Sequence, residues 1–453
     1  MQLTTFRGGI HPKHNKSTTE HSAIEYLDAP DKVYIPLIQN IGAPCSSLVK
    51  KNDIVKVGQK IGEPLGFVSA PIHSSVSGKV IDVKKILVNT GEKADCVIIE
   101  NDKEYTIHED IKPYGTIEEL SKERLLEIVK EIGLVGMGGA TFPTHVKLNP
   151  PKDKVVDAII LNGAECEPYL TADHRLMLEQ TKDVVDGLRA ILKITSVENG
   201  YIGIEDNKPD CIEAIKKEVE KYPNIKVVTL KTKYPQGAEK QLINVCTGRE
   251  VPSGGLPADA GAIVDNVATA AQIAKSLRTG LPLIERICTV TGGAIANPKN
   301  VMFKIGTLYS DIVEMTGGFK EEPAKVISGG PMMGVALANI NVPANKGTSG
   351  ILCFTQKEAE IGETQNCIRC AKCVGVCPAG LEPIYISAHT LKDNFEKAEE
   401  YRALDCIECG SCSFICPSKR PLLQSIRVAK REIMAMRRKA QEKAKAEAEK
   451  NAK

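Results

Sequence analysis

The 453-residue chain has no tryptophan, and aromatic residues make up only 4% of it, so its cores have to be filled by aliphatic side chains. No run of about 18 apolar residues occurs, which excludes a membrane-spanning helix. The opening Met1-Gln-Leu-Thr-Thr-Phe-Arg-Gly-Gly lacks the apolar stretch of a secretory signal, so a cytoplasmic chain is expected. A net charge of +2 says nothing about partners; nucleic acid is not among the partners expected. A length of this order predicts three or four domains of roughly 100–200 residues each. Disulfides are also missing from the pattern. Cys45, Cys96, Cys166, Cys211, Cys246, Cys288 and Cys353 are irregularly spaced, which suits small core thiols in a reducing compartment.

The other eight cysteines are regularly arranged. Cys367-Ile-Arg-Cys370-Ala-Lys-Cys373-Val-Gly-Val-Cys377-Pro378 and Cys406-Ile-Glu-Cys409-Gly-Ser-Cys412-Ser-Phe-Ile-Cys416-Pro417 both have the spacing C-x2-C-x2-C-x3-C-P. Three thiolates two residues apart wrap one face of an iron–sulfur cube, and the displaced fourth ligates the other cluster in two-cluster ferredoxins. The expected ligand sets are therefore Cys367, Cys370, Cys373 and Cys416 for one 4Fe-4S cluster, and Cys406, Cys409, Cys412 and Cys377 for the second. Zinc knuckles use paired hairpins set well apart and have no use for this three-plus-one repeat.

Residues 30–105 read as short β segments split by Gly and Pro: Val33 to Leu37, Ile54 to Val57, Gly78 to Val83 and Cys96 to Glu100. Gly66-Phe-Val-Ser-Ala-Pro71 with Ser77-Gly78-Lys79-Val80 resembles the lipoyl and biotinyl carrier domains, which are small β barrels. No lysine lies between Lys60 and Lys79 to carry a swinging arm, so a docking scaffold is expected. From 118 to 275 helices alternate with apolar strands: helices at Glu118 to Ile132, Leu176 to Leu192 and Asp210 to Lys221, strands at Val155 to Leu161, Gly200 to Ile204 and Ile225 to Leu230. That alternation predicts a mainly parallel sheet covered by helices. Residues 285–335 return to short strands with Gly-rich turns, a linker is expected near 345–362, and the 28 residues between the cysteine runs carry a helical pattern. From Arg427 onward ten Lys or Arg stand against four Glu, which suggests a long exposed helix, frayed at its end, either merely solvated or touching anionic lipid or an acidic partner.

Between the first helix and the first strand lies Gly133-Leu-Val-Gly136-Met-Gly138-Gly139-Ala-Thr-Phe142-Pro143-Thr-His-Val-Lys147. Glycines at this density let backbone N–H groups approach a phosphate or a flavin ring, although a tight structural turn explains such a loop about as well. It is not a dinucleotide fingerprint, because it follows a helix. Three further stretches add to it: Leu161-Asn162-Gly-Ala-Glu165-Cys-Glu167-Pro168, Tyr234-Pro-Gln-Gly237-Ala-Glu239 and Val264-Asp-Asn266-Val-Ala-Thr269. In this order they resemble the flavin and NADH sites of the FMN-bearing subunit of respiratory complex I. With the opening Phe6-Arg7-Gly8-Gly9-Ile10-His11-Pro12, the barrel and the tandem clusters, residues 1 to about 425 resemble the RnfC family, a component of the Rnf electron-transport complex.

The resemblance implies a multidomain α/β chain: a lipoyl-like barrel over 1–115, an α/β FMN- and NADH-binding domain over 116–280, a soluble-ligand-binding β-grasp module over 281–345, a mostly helical two-cluster ferredoxin domain over 346–426 and a charged helical tail over 427–453. It implies FMN, NAD(H) and attachment to the other subunits of a membrane complex that couples electron flow between ferredoxin and NAD to ion translocation, on the cytoplasmic face of the membrane. By the same resemblance Gly136, Gly138 and Gly139 line the flavin, Lys147 and Asn162 bond its polar groups, and Phe142 faces the nicotinamide. Glu165, Glu167 and Glu239 border the dinucleotide pocket, and Tyr234, Gly237, Asn266 and Thr269 close the flavin side. Ala164, Ala238, Ser253 and Leu256 depart from the complex I pattern at positions tied to nucleotide contact. Two readings stay open: Glu165 and Glu167 as caps of a helix beginning near Pro168, and Tyr234 as a plain core tyrosine. His11 and His14 form a lone H-x-x-H that could bind a metal.

A nicotinamide gives two electrons at once and a 4Fe-4S cluster takes one, so a flavin between them is a sufficient converter, with the protein supplying position and electrostatics. No general acid or nucleophile from the protein is expected. Rival readings are a soluble flavin and iron–sulfur cobalamin reductase, against which the Phe6 to Pro12 motif weighs, and a ferredoxin-like scaffold that binds no nucleotide.

Overall fold

The protein is described by a computed structural model that covers residues 3–151 and 153–451. Near the N-terminus, Lys32–Pro36, Lys93–Asn101, Gly78–Leu87 and Ile54–Val55 form an antiparallel four-stranded sheet. It faces a three-stranded sheet of Cys45–Ser47, Lys60–Pro64 and Ile72–His73. Alternate residues of both sheets, among them Val33, Ile35, Ile61, Val80, Val97 and Ile99, fill the space between. At the loop where a carrier would hold its lysine, the chain instead exposes Leu65 and Phe67.

The second unit has four parallel strands in the order Ile225–Leu230, Asn199–Glu205, Ala158–Gly163, Ala262–Asn266. The expected parallel sheet is there, and helices cover both faces. Several boundaries differ from expectation; the strand expected over Val155 to Leu161 runs Ala158–Gly163, and the helix expected over Asp210 to Lys221 runs Pro209–Val219. The helix expected from Glu118 starts at Lys122, because Ser121 caps it by accepting from the Arg124 amide at 3.2 Å while Glu119 ties back to the Thr116 amide at 3.0 Å. The helix expected over Leu176 to Leu192 is two helices, Ala172–Glu179 and Thr181–Thr195. The Thr181 hydroxyl donates to the Met177 carbonyl at 2.6 Å, and the break falls at Gln180 beside it. Thr181–Thr195 packs on Val267–Thr279, a helix buried nearly all round.

The third unit is a six-stranded mixed sheet in the order Ile24–Tyr26, Lys299–Lys304, Glu285–Thr291, Gly350–Phe354, Lys325–Ser328, Val335–Ala336. Its membership departs from the sequence reading at both ends. Ile24–Tyr26 leaves the barrel to pair in parallel with Lys299–Lys304. The linker expected near 345–362 instead supplies Gly350–Phe354, buried at every residue between two partner strands. An apolar Ile351-Leu-Cys-Phe354 run is too costly to leave in water and too short to announce itself by periodicity.

The cysteine-rich unit is helical: Lys372–Gly375, Pro383–Thr390, Phe395–Glu400, Ser411–Ile415 and Leu422–Asn451. The last of these corrects the expectation of an exposed tail helix from Arg427. It starts at Leu422, and Leu422, Ile426, Ala429 and Ile433 are core residues of the cluster domain. Beyond Met434 the helix is mostly exposed, and residues 452–453, where fraying was expected to end the chain, lie outside the described residues.

The units are tied by buried cations. The Lys346 ammonium, 1% exposed, donates to the Pro71 carbonyl of the barrel at 2.8 Å and to the Gly133 carbonyl at the start of the glycine loop at 2.6 Å. With no carboxylate among those partners, burial pulls its pKa down to about 7.

Where Thr181–Thr195 packs on Val267–Thr279, a β-carbon on Gly187 would lie 1.9 Å from the Ala270 carbonyl oxygen. Gly187→Ala should gain about 1 kcal/mol of helix propensity and lose more through overpacking, for a net destabilisation of about 1–3 kcal/mol. Denaturant unfolding measures this, and a variant as stable as the parent would show that the two helices can part at no cost.

Candidate functional site

The glycine loop is held at its ends and open at its crest. The Gly136 amide donates to the Phe142 carbonyl at 2.8 Å, closing the loop. Between them the Met137 peptide is fixed on both sides: its N–H donates to Thr269 Oγ1 at 2.9 Å, and its carbonyl accepts from the buried Arg286 at 2.8 Å. Gly138, Gly139 and Ala140 are exposed, and a β-carbon at Gly139 would meet nothing within 4 Å. One at Gly138 would stand 2.8 Å from Cβ of Asn266. A side chain at Gly138 would therefore press on Asn266 and force the lip of the loop to shift. Phe142 is half-buried at the foot of the same loop.

Asn266 caps the helix Val267–Thr279, accepting from the Ala268 amide at 2.8 Å, and its amide donates to Asp173 at 2.7 Å. Burial first, and the neighbouring Glu165 second, push the Asp173 carboxyl up to about 6. Asn162 ends the central strand; it donates to the Gly237 carbonyl at 2.9 Å and accepts from the Ala164 amide at 3.1 Å. Lys147 reaches Glu239 at 2.8 Å and Asp265 at 4.0 Å. Burial opposes its charge, but Asp265 and Glu239 outweigh that and hold the ammonium above its ordinary pKa. Gly136, Gly138, Lys147, Asn162, Gly237, Glu239, Asn266 and Thr269 thus meet at the C-terminal ends of the parallel strands, the place where open α/β sheets bind ligands.

The other expected site residues face two ways. Glu165 accepts from the Asp173 amide at 2.7 Å and the His174 amide at 3.3 Å, capping the helix Ala172–Glu179. The capping role left open in the sequence therefore applies to Glu165, on a helix that begins at Ala172 and not near Pro168. Glu167 does something neither reading foresaw: it accepts from the Met332 and Met333 amides at 3.0 and 2.9 Å, holding a loop of the third unit. Burial lifts its carboxyl to about 7 against those two bonds. Tyr234 is 1% exposed, and its hydroxyl donates to the Cys409 carbonyl at 2.8 Å.

The cysteines gather in the crossed sets. Cys367, Cys370, Cys373 and Cys416 line one cavity, and Cys377, Cys406, Cys409 and Cys412 line another. Each cavity presents four thiols and no other metal-ligating side chain, a donor set that suits a 4Fe-4S cluster. The cavity with Cys409 abuts Tyr234, Ile10 and Met332. The opening motif is wedged there too: the Gly9 amide donates to the Val376 carbonyl at 2.8 Å and the Ile10 amide to the Tyr234 carbonyl at 2.8 Å. Gly8 and Gly9 have φ of +81° and +78°, and a β-carbon on Gly8 would press on the Cys377 carbonyl at 2.9 Å. Only glycine suits both positions. His11 and His14 are exposed on this segment.

Sequence reasoning missed Asp265, although it sat inside a quoted motif. Its residue is 3% exposed, and neither carboxylate oxygen has a hydrogen-bond partner among the described residues. Burial raises its pKa to about 6, against the pull of Lys147. A carboxyl whose folded pKa lies above its unfolded value of about 3.9 costs stability only once ionised. The protein should lose stability from this group as pH rises from about 4 through 6, and Asp265→Asn should remove that slope. Denaturation series at several pH values test this: the variant should be the more stable above pH ~7, and a parallel pair of curves would refute the assignment.

Among known protein families, residues 129–275 match the Nuo51 FMN-binding domain, 4–104 the RnfC barrel sandwich hybrid domain, 287–336 the SLBB domain and 360–445 a 4Fe-4S dicluster domain. The C-type subunit of the Na(+)-translocating ferredoxin:NAD(+) oxidoreductase complex of Acetobacterium woodii is 55% identical over 435 residues, 96% of this chain and 98% of its own. The proton-translocating counterpart of Clostridium ljungdahlii is 53% identical over 96% of this chain and 95% of its own. The C-type subunit of the ion-translocating oxidoreductase complex of Rhodobacter capsulatus is 41% identical over 95% and 83%. Among solved structures, an NAD+-reducing nickel–iron hydrogenase in its air-oxidized state shares the fold at a TM-score of 0.51 and 17% identity, over 69% of this chain and 64% of that one. On domain order and on identity along nearly its whole length, the chain belongs to the RnfC family, the C-type subunits of ion-translocating ferredoxin:NAD(+) oxidoreductase complexes.

Proposed function

We propose that the chain is the NAD(H)-interacting subunit of a membrane-bound, ion-translocating electron-transport complex. It passes electrons between NAD(H), FMN and two 4Fe-4S clusters, and the other subunits carry them towards or from ferredoxin. The observation that carries this reading is the 2.8 Å bond from Tyr234 to Cys409, which sets a nucleotide-binding fold directly against a cluster cavity. The names of the relatives agree with it and do not favour a soluble cobalamin reductase. No helix of the described residues is long and apolar enough to cross a membrane. The subunit attaches peripherally, on the cytoplasmic face, through its protein partners.

Bound FMN supplies the exchange between electron pairs and single electrons. The protein's part is to hold and orient. Gly136, Gly138 and Gly139 let the ring approach the backbone, Lys147 and Asn162 take its polar groups, and Gly237, Asn266 and Thr269 fix the loops around it. Phe142 would face the nicotinamide, and Glu239 would border the dinucleotide pocket. Glu165 and Glu167 would border it by fixing the backbone they bond. Tyr234 bonds Cys409, so a cluster held by Cys377, Cys406, Cys409 and Cys412 would sit against the nucleotide domain, and Cys367, Cys370, Cys373 and Cys416 would hold the second. The work divides along the chain as a docking barrel over 1–115, the nucleotide domain over 116–280, the β-grasp module over 281–345, the cluster domain over 346–426 and the tail over 427–453.

Protein stripped of FMN should keep its iron and still be reduced by dithionite, a one-electron donor, but not by NADH. Gly138→Val should reproduce the stripped state, with loss of flavin absorbance at unchanged iron content. Rapid cluster reduction by NADH in verified flavin-free protein would sink the mechanism. Cys416→Ser should damage the cluster built on Cys367, Cys370 and Cys373 and spare the other, as read by electron paramagnetic resonance. Loss of the cluster on Cys406, Cys409 and Cys412 would instead mean local ligation.

A further inference from the structure

The two cysteine motifs differ in the pair of residues before the third cysteine, Ala371-Lys372 in the first and Gly410-Ser411 in the second. Lys372 lines the cavity of Cys367, Cys370, Cys373 and Cys416, which is open to solvent at the exposed Cys367 and Cys370. Ser411 is fully buried, and its hydroxyl oxygen lies 3.4 Å from Cys409 Sγ, its one side-chain hydrogen bond among the described residues. The Cys409 thiol is the donor there, and it stands in for the thiolate that binds iron. A thiolate has no hydrogen to give. With that sulfur as a cluster ligand the bond reverses, and the Ser411 hydroxyl donates. Both motifs also aim one amide at a sulfur, Arg369 N–H at Cys367 and Glu408 N–H at Cys406, each at 3.4 Å. The cavity against Tyr234 adds the Leu381 amide on Cys377 Sγ at 3.3 Å and the Ser411 hydroxyl, which have no counterpart in the other cavity among the described residues.

The rest of that cavity opposes reduction. An added electron makes a cluster more negative, and the walls here are apolar, with Ala379, Leu381, Ile407, Leu423 and Ile426 among them. The cations beside it are neutralised, since Arg427 and Lys430 both pair with Glu408, at 2.9 and 2.6 Å. Burial lowers a cluster's potential, and a hydrogen bond to one of its sulfurs raises it. Tyr234, by holding the Cys409 carbonyl at 2.8 Å, fixes the peptide that carries this sulfur within reach of Ser411. We propose that Ser411 raises the potential of the cluster held by Cys377, Cys406, Cys409 and Cys412 by donating to Cys409 Sγ, which keeps a buried cluster reducible. Reduction adds one electron to that cluster, and no bond is made or broken and no proton moves. The inference rests on the cluster reading above, whose iron and flavin tests do not involve Ser411, so the two can fail separately.

The test is a redox titration of the full chain with its clusters and flavin, using dithionite and redox mediators, with both cluster midpoints read by electron paramagnetic resonance. Ser411→Ala should make reduction of one cluster about tenfold less favourable, a fall of about 59 mV for one electron. The other midpoint and the iron content should not change. Ser411→Thr keeps a hydroxyl and should hold the parent midpoint. Ser413→Ala is the control: that hydroxyl lies in the same turn, accepts from the Leu423 amide at 2.9 Å and bonds no sulfur, so neither midpoint should move. If Ser411→Ala binds too little iron, Ser411→Gly removes the same donor and is read in the same way. Midpoints that stay put at full iron content, that rise, or that fall together overturn the proposal, as does an equal fall in Ser413→Ala. Parent protein without two reducible clusters would overturn the cluster reading instead.

Discussion

The Tyr234 hydroxyl and the Cys409 carbonyl meet at 2.8 Å, and around that bond three distant stretches of chain converge. The opening segment inserts Gly8 and Gly9 against Val376 and Cys377, the third unit brings Met332, and the nucleotide domain brings Cys166 beside Tyr234. Each is fixed by a separate bond. The Gly9 amide holds Val376, Glu167 holds the Met332 amide, and Cys166 accepts from the Gly237 amide at 3.2 Å. This junction holds the nucleotide domain at a fixed distance from the cavity lined by Cys377, Cys406, Cys409 and Cys412.

Much of this could be read locally. Ile225–Leu230 is bounded where its apolar run begins and ends. The cysteine spacing divides the eight thiols into two sets of four, and each set lines one cavity. What escaped reading was set at long range. Ile24–Tyr26 looks like part of the barrel, yet its partner lies some 275 residues away. Gly350–Phe354 looks like linker until the two strands beside it are known. Glu165 and Glu167 are two residues apart and bond backbone in different units, a division that no spacing encodes. Asp265 reads as an ordinary acid, and only its burial, which the pull of Lys147 offsets in part, raises its pKa.

Lys346 bonds to carbonyls at Pro71 and Gly133, so the ribosome delivers this cation after both of its partners. At about 5–20 residues per second, the interval between emergence of the glycine loop and of its anchor is roughly 10–40 s. Through that interval the barrel and the root of the glycine loop lack the staple between them, so this tie between two units that are made early forms only late in synthesis.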